Sequence, residues 1–189
     1  MARNEQTSAV VDGILKVALA AGSLSVAVIA PNLLRVLEKP VADYLRKLDR
    51  DERERQISRL ITYALREHLL TEHYQHGIDI TKKGRKRLAR KDFEKLVIPK
   101  PQHWDSTWRL VMFDIPKSHD KNRRPFTAKI RQLGFQPLQQ SVWIYPFSCR
   151  DEVALVASTY SVAKFVTYIE TNHIDHEEKL KTRFRNLIC

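Results

Sequence analysis

The sequence predicts an α+β chain: an N-terminal winged helix-turn-helix followed by a ferredoxin-like βαββαβ-type domain. Three observations carry that expectation. Apolar residues of the first half recur at helical spacing, and one short hairpin precedes a last helix. In the second half, brief apolar strand-like runs alternate with helical segments. Between the halves, "VIPKPQHWDS" sets two prolines in a polar run, the composition of a linker. The expected organisation is residues 1–98 as first domain, 99–106 as linker, 107–172 as second domain and 173–189 as a basic C-terminal tail.

Two or three short helices are expected over residues 8–47, broken near Gly22–Ser25 and near Pro40. The segment "DRDERERQISRLITYALREHLL" is the strongest helix of the chain. Asp49 or Asp51 caps it, and Glu52 and Glu54 complement the positive end of its dipole. Ile57, Leu60, Ile61, Ala64 and Leu65 form one apolar stripe, which leaves Arg55, Arg59, Thr62, Tyr63 and Arg66 on the other face. Leu69–Tyr74 and Ile78–Ile80 then pair as a hairpin around His76–Gly77. Thr81 caps a closing helix that carries Lys82, Lys83, Arg85, Lys86, Arg87, Arg90 and Lys91. Helices, a basic amphipathic helix, a hairpin and a closing helix follow one another in winged-helix order.

The second domain begins with a strand, Trp108–Phe113, that runs into Asp114 and Pro116. Phe126, Ile130 and Leu133 mark a helix that Gly134 stops, and Pro125 places its start near Arg123 or Arg124. In "FQPLQQSVWIYPF", Leu138, Val142 and Ile144 alternate with Gln139, Ser141, Trp143 and Tyr145. Ser148 or Cys149 caps the helix "RDEVALVASTY", and "KFVTYIET" is a third strand, so the segments read in the order β-α-β-α-β. Helices are expected on one sheet face. Trp143 and Tyr145 are expected on the other, where a homodimer would cover them.

Charge narrows the partners. The net charge is +11, distributed as +7 over residues 1–102 (20 basic, 13 acidic) and +4 over 103–189 (13 basic, 9 acidic). Such a field favours a polyanion. Placed on a helix–hairpin–helix pattern, it points to double-stranded DNA, with the ridge of Arg55, Arg59, Thr62, Tyr63 and Arg66 entering the major groove. Lys82, Lys83, Arg85, Lys86 and Arg87 would neutralise phosphates. The uncharged run Val17–Leu34 approaches spanning length, but Gly22, Ser23, Ser25, Pro31 and Asn32 fit buried helices better, so no membrane association is expected. Cys149 and Cys189 are the only cysteines, which excludes a disulfide framework and fits the cytoplasm.

Three separated blocks, "WRLVMFDIP", "RQLGFQPLQQSVWIYPF" and "FVTYIE", resemble two related groups. One is the small CRISPR-associated endonuclease of the second core type. The other is the central domain of PaaX-type transcriptional repressors, whose arrangement a preceding winged helix also resembles. The resemblance implies a DNA-binding transcriptional regulator, a repressor, and the expected homodimer would present two recognition helices, from which a (pseudo)palindromic site follows. Its alternative implication is a Mg²⁺-dependent endonuclease, or a subunit of a CRISPR adaptation complex with an integrase partner. In the nuclease family the aspartate ending the first strand faces its two-fold mate and is proposed to hold Mg²⁺. Asp114 occupies that position, so catalysis and metal binding at an Asp114 pair on the dimer axis belong to this alternative. The residues alone offer Asp114 a structural role as well, accepting backbone N–H groups beyond the strand end. A protein-interaction module without nucleic acid is the third reading.

Other constellations carry less. His68, His73 and His76 crowd together without a cysteine partner, and His173, Asp175, His176 and Glu177 open a polar segment as an exposed helix start. No glycine-rich phosphate loop and no Ser/His/Asp or Cys/His nucleophile pattern occurs, and no cofactor is expected.

Overall fold

In a computed structural model, which describes residues 3–21, 26–73 and 77–188, the chain divides into two units, Met1–Lys95 and Leu96–Cys189. The sequence places the boundary at residue 98; the structure places it three residues earlier, directly after the closing helix of the first unit.

The first unit runs α1 (Arg3–Ala21), α2 (Val26–Val36), α3 (Lys39–Lys47), α4 (Arg50–Arg66), β1 (Leu70–His73), β2 (Gly77–Ile80) and α5 (Lys82–Glu94). The expected break at Gly22–Ser25 lies outside the described residues, whereas Pro40 sits in the first turn of α3, where a missing N–H costs nothing. Among the described residues no helix is long and apolar enough to cross a membrane. Asp49 caps α4 by accepting the Glu52 N–H at 2.7 Å. The α4 stripe of Ile57, Ile61 and Ala64 is buried against Val10, Val11, Ile14 and Leu15 of α1, Leu33 of α2 and Leu45 of α3 in one apolar core. β1 and β2 pair antiparallel from Leu70↔Ile80 to His73↔Gly77.

A single threonine joins helix, hairpin and closing helix. Thr81 Oγ1 accepts the Gly84 N–H as the α5 cap and donates to the His68 and Leu69 carbonyls at the end of α4. Glycine is needed at 84 because a Cβ there would run into the Leu69 carbonyl oxygen.

The second unit runs β3 (Trp108–Phe113), α6 (Asp120–Gln132), β4 (Gln136–Gln139), β5 (Val142–Tyr145), α7 (Arg150–Thr159), β6 (Val166–Thr171) and α8 (Glu177–Ile188). Its antiparallel sheet has the order β4-β5-β3-β6, which is ferredoxin-like. Gly134, at φ 101°, ends α6 and packs against the Tyr145 ring. α6 starts at Asp120, before the expected Arg123, and encloses Pro125. A 3-10 turn over Lys117–His119 feeds directly into the helix, so the proline falls in its second turn. Cys149 is the N-cap of α7 without a side-chain cap bond.

Two expectations are corrected here. Trp143 and Tyr145 lie on the helix-covered face and are 4% and 1% exposed. Arg131 of α6 stacks over Trp143 at 5.4 Å, and Phe135 stacks on Tyr145 at 5.1 Å. The β3–β5 register sets this parity: Val111 faces Trp143 and Arg109 faces Tyr145, on the same side as Phe113, which meets Phe126 of α6. The opposite face carries Leu110, Met112, Val142 and Ile169, of which Met112 and Ile169 are exposed. Second, residues 177–188 of the expected tail form a helix belonging to the unit. Leu180 and Phe184 of α8 are buried, Glu177 accepts the Trp108 indole N–H at 3.1 Å, and Phe184 meets Trp108 at 5.7 Å.

The expected linker is also partly structural. Asp105 receives two hydrogen bonds from the buried Arg109 guanidinium, at 2.7 and 2.5 Å, and Arg109 Nη1 donates further to the Thr107 and Pro146 carbonyls. Trp104 Nε1 donates to the same two carbonyls. The Arg109 hydrogen bonds hold the Asp105 carboxyl below its usual range, despite opposing desolvation. A depressed carboxylate stabilises the fold above its unfolded pKa, and that contribution is lost as pH falls through the folded value. Because the Asp105 side chain is more than half exposed and its ion pair is screened by solvent, Asp105→Asn is expected to destabilise the protein by only about 0.5–1.5 kcal/mol at neutral pH. In thermal melts across pH, the gap to wild type should narrow once pH drops below about 4.

Candidate nucleic-acid interface

Helix α4 positions the interface because its buried side fixes its exposed one. With Ile57, Ile61 and Ala64 in the core, Arg55, Arg59, Thr62 and Arg66 emerge together on the outer side, all exposed. Thr62 Oγ1 bonds back to the Ser58 carbonyl at 3.0 Å, which orients its hydroxyl along the helix. Tyr63 lies beside this stripe, 37% exposed, with the Arg66 guanidinium 5.7 Å from its ring centre. Arg55 and Arg59 also line a groove with Gln6, Thr7, Tyr44 and Glu52. A second groove lies between the end of α4 and α5, edged by Tyr63, Glu67, Lys83, Lys86 and Arg90.

The α5 cations divide into engaged and open ones. Lys82 and Lys86 are exposed. Lys83 Nζ donates to the Glu67 carbonyl at 2.7 Å, which satisfies an acceptor at the α4 C-terminus. Arg85 stands 3.9 Å from Asp79. Arg87 is different in kind: Nε donates to Asp12 at 2.6 Å and Nη2 to Ser8 at 3.0 Å, with both partners of the ion pair largely buried. Its guanidinium clamps α5 to α1, so the expectation that Arg87 contacts a phosphate is corrected to an intramolecular role. The sequence could not separate it from its neighbours, because the distinction rests on an acid 75 residues away.

Asp114 is exposed at the end of β3. Its backbone N–H donates to the Phe165 carbonyl at 3.0 Å. Among the described residues its carboxylate forms no hydrogen bond or ion pair, so the expected capping of nearby N–H groups is not made. The turn is tied by the backbone and by buried Ile115 instead. Among the described residues there is no group of three or more His, Cys, Asp or Glu that could hold a metal ion. Within one chain, Asp114 alone is too small a donor set for Mg²⁺. His76 lies outside the described residues. Cys149 is buried, and desolvation pushes its thiol up to about 12, which keeps it from acting as a nucleophile at neutral pH. Sequence reasoning missed Arg109 and Asp105; the spacing of four would have flagged a pair only on a helix, and here a turn and a strand bring them together.

An exposed cationic stripe in a helix-turn-helix unit, joined to a ferredoxin-like unit, defines a class that comparisons make specific. Residues 101–182 match the family described as PaaX protein central Cas2-like domain. Over that stretch, which is less than half of the chain, the sequence is similar to this domain. No curated protein matches the sequence significantly. Among solved structures, the uncharacterized protein Rv0674 from Mycobacterium tuberculosis is similar at 12% identity and a TM-score of 0.42. The alignment covers 90% of this chain and 63% of that one, so this chain spans less than two thirds of its length.

The two arginine types should separate experimentally. Arg87→Ala is expected to cost roughly 1.5–3 kcal/mol, since it leaves the largely buried Asp12 without its partner. Arg55→Ala, on an exposed position, should stay within about 0.5 kcal/mol of wild type in chemical denaturation.

Proposed function

We propose that the chain is a sequence-specific DNA-binding transcriptional regulator, a repressor, that acts as a homodimer. The observation that carries this is the α4 stripe: Arg55, Arg59, Thr62 and Arg66 project from one side of a helix whose other side is locked in the core. A helix held this way is a rigid reading head, and arginine pairs bidentately with guanine edges. Lys82 and Lys86, exposed on the helix after the hairpin, supply phosphate contacts that set register without reading sequence. The PaaX-type domain supports the regulatory reading. For the dimer, the support is the partly exposed sheet face of Leu110, Met112, Val142 and Ile169, which a second copy would cover. Two α4 helices would then meet two half-sites, which makes a (pseudo)palindromic operator the expected target.

Selection from a random duplex pool tests this directly. Wild type should enrich a two-fold symmetric sequence, with affinity that falls steeply as salt rises. Arg55→Ala with Arg59→Ala should lose at least about tenfold in preference for that sequence, each bidentate contact being worth roughly 1–3 kcal/mol of discrimination. Salt-independent binding, or no enrichment, would sink the proposal.

A Mg²⁺-dependent endonuclease is the second reading, and it rests on Asp114, whose exposed carboxylate is free of protein partners among the described residues. That reading requires a second Asp114 from a partner copy. Wild type would cleave DNA only with Mg²⁺, and Asp114→Ala would abolish cleavage while leaving duplex affinity intact; absence of cleavage by wild type eliminates it.

A further inference from the structure

The second unit carries a basic surface that the reading above does not use. Residues 117–131 contain six basic residues and one acid, Asp120. Lys129 points inward and is 5% exposed. The other five, Lys117, Lys121, Arg123, Arg124 and Arg131, form no ion pair with any described residue. This differs from α5, where Arg85, Arg87, Arg90 and Lys91 each face a carboxylate. An arginine or lysine run whose charges stay unneutralised within its own fold keeps its full attraction for an outside anion.

Helical geometry gathers these charges. Phe126, Ile130 and Leu133 turn α6 onto the sheet, which brings Lys121, Arg124 and Arg131 out on the solvent side with Ala128 between them. Lys117 precedes them on the 3-10 turn packed against the helix start. From Lys121 to Arg131 the stripe is about 15 Å long at the helical rise. A duplex presents one charge per ~1.7 Å of its axis, so a stripe of this length meets several phosphates. The Trp143 ring, 5.4 Å from the Arg131 guanidinium, holds that side chain in place, which lowers the entropy lost when it engages a phosphate.

We infer that the solvent side of α6, with Lys117, is a second contact for the phosphate backbone of duplex DNA, independent of sequence. Charge complementarity selects this partner over a protein. No exposed large apolar side chain lies between residues 117 and 132, so the surface lacks the apolar anchor on which protein interfaces depend. It recognises phosphate spacing and carries no base-reading geometry.

The inference rests on the DNA-binding reading for its choice of polyanion, and one experiment on the full chain separates the two. Binding of wild type and of a Lys117→Ala, Lys121→Ala, Arg124→Ala variant to a long duplex without the operator is measured against salt. All three positions are exposed, so the variant should match wild type in thermal melts. The expected result is a log–log salt slope shallower by about 2 to 3, near 0.9 per lost contact, with at least tenfold weaker binding at about 50 mM salt. Preference for the operator should be unchanged. A wild type that binds duplex with a slope the variant shares overturns the α6 contact alone. An unchanged slope accompanied by a changed oligomeric state overturns it too, and assigns the surface to a second copy. A wild type that binds no duplex overturns both readings.

Discussion

Arg109 is buried with its charge intact, and the second unit is arranged around that fact. Taking a guanidinium out of water costs several kcal/mol unless its donors are satisfied. The chain meets the demand with Asp105 and with the carbonyls of Thr107 and Pro146, leaving Nε without a partner among the described residues. The segment before β3, β3 itself and the exit from β5 are thereby fastened at one point. Trp104 shares the two carbonyls, and Trp108, the first residue of β3, fixes α8 through Glu177 and Phe184. Residues that read as linker and tail are consequently parts of the domain's frame.

The cations show how identical side chains acquire different work. Arg55 and Arg59 stay open because the α4 apolar stripe turns them outward and, among the described residues, neither forms an ion pair. Arg87, on an equally basic helix, meets Asp12 of α1 and becomes a clamp. Among the described residues, the side chains of the α6 cations other than inward-turned Lys129 form no ion pair and no hydrogen bond. Net charge placed the polyanion contact in the first half of the chain, where +7 resides. The ion pairs redistribute that weight, since much of the α5 charge is balanced internally while the smaller excess of the second half is concentrated and unpaired. The quantity that matters for association is the uncompensated charge on a surface, which composition does not measure.

The first strand illustrates the same limit for chemistry. "FDIP" identifies the domain, and the family match over residues 101–182 agrees with that reading of the motif. What Asp114 does was open to a structural reading through its carboxylate. In the fold the backbone N–H makes the turn's hydrogen bond and the carboxylate is left to solvent. Buried Cys149 offers no alternative nucleophile, because burial keeps its thiol protonated.

Local physics was legible in the chain from the start. Period-3.6 apolar spacing located α4, Asp49 was one of two acids offered as its cap, Thr81 announced the cap of α5, and Gly134 marked the end of α6. The order of segments suggested a ferredoxin-like sheet, although β4 and β5 read as one strand because the turn between them, Gln140–Ser141, has no glycine or proline. These features depend on neighbours within one turn of helix or one strand. Sheet parity, the Arg109–Asp105 clasp, the Arg87–Asp12 clamp and the docking of α8 depend on which residues meet across the fold. In "SVWIY" both alternating sets are apolar enough to be buried, so the pattern could not choose the covered face. The register of β3 against β5 chose it, with Val111 opposite Trp143 and Arg109 opposite Tyr145. Periodicity fixes the spacing of side chains along an element, and only pairing between elements decides what each side faces.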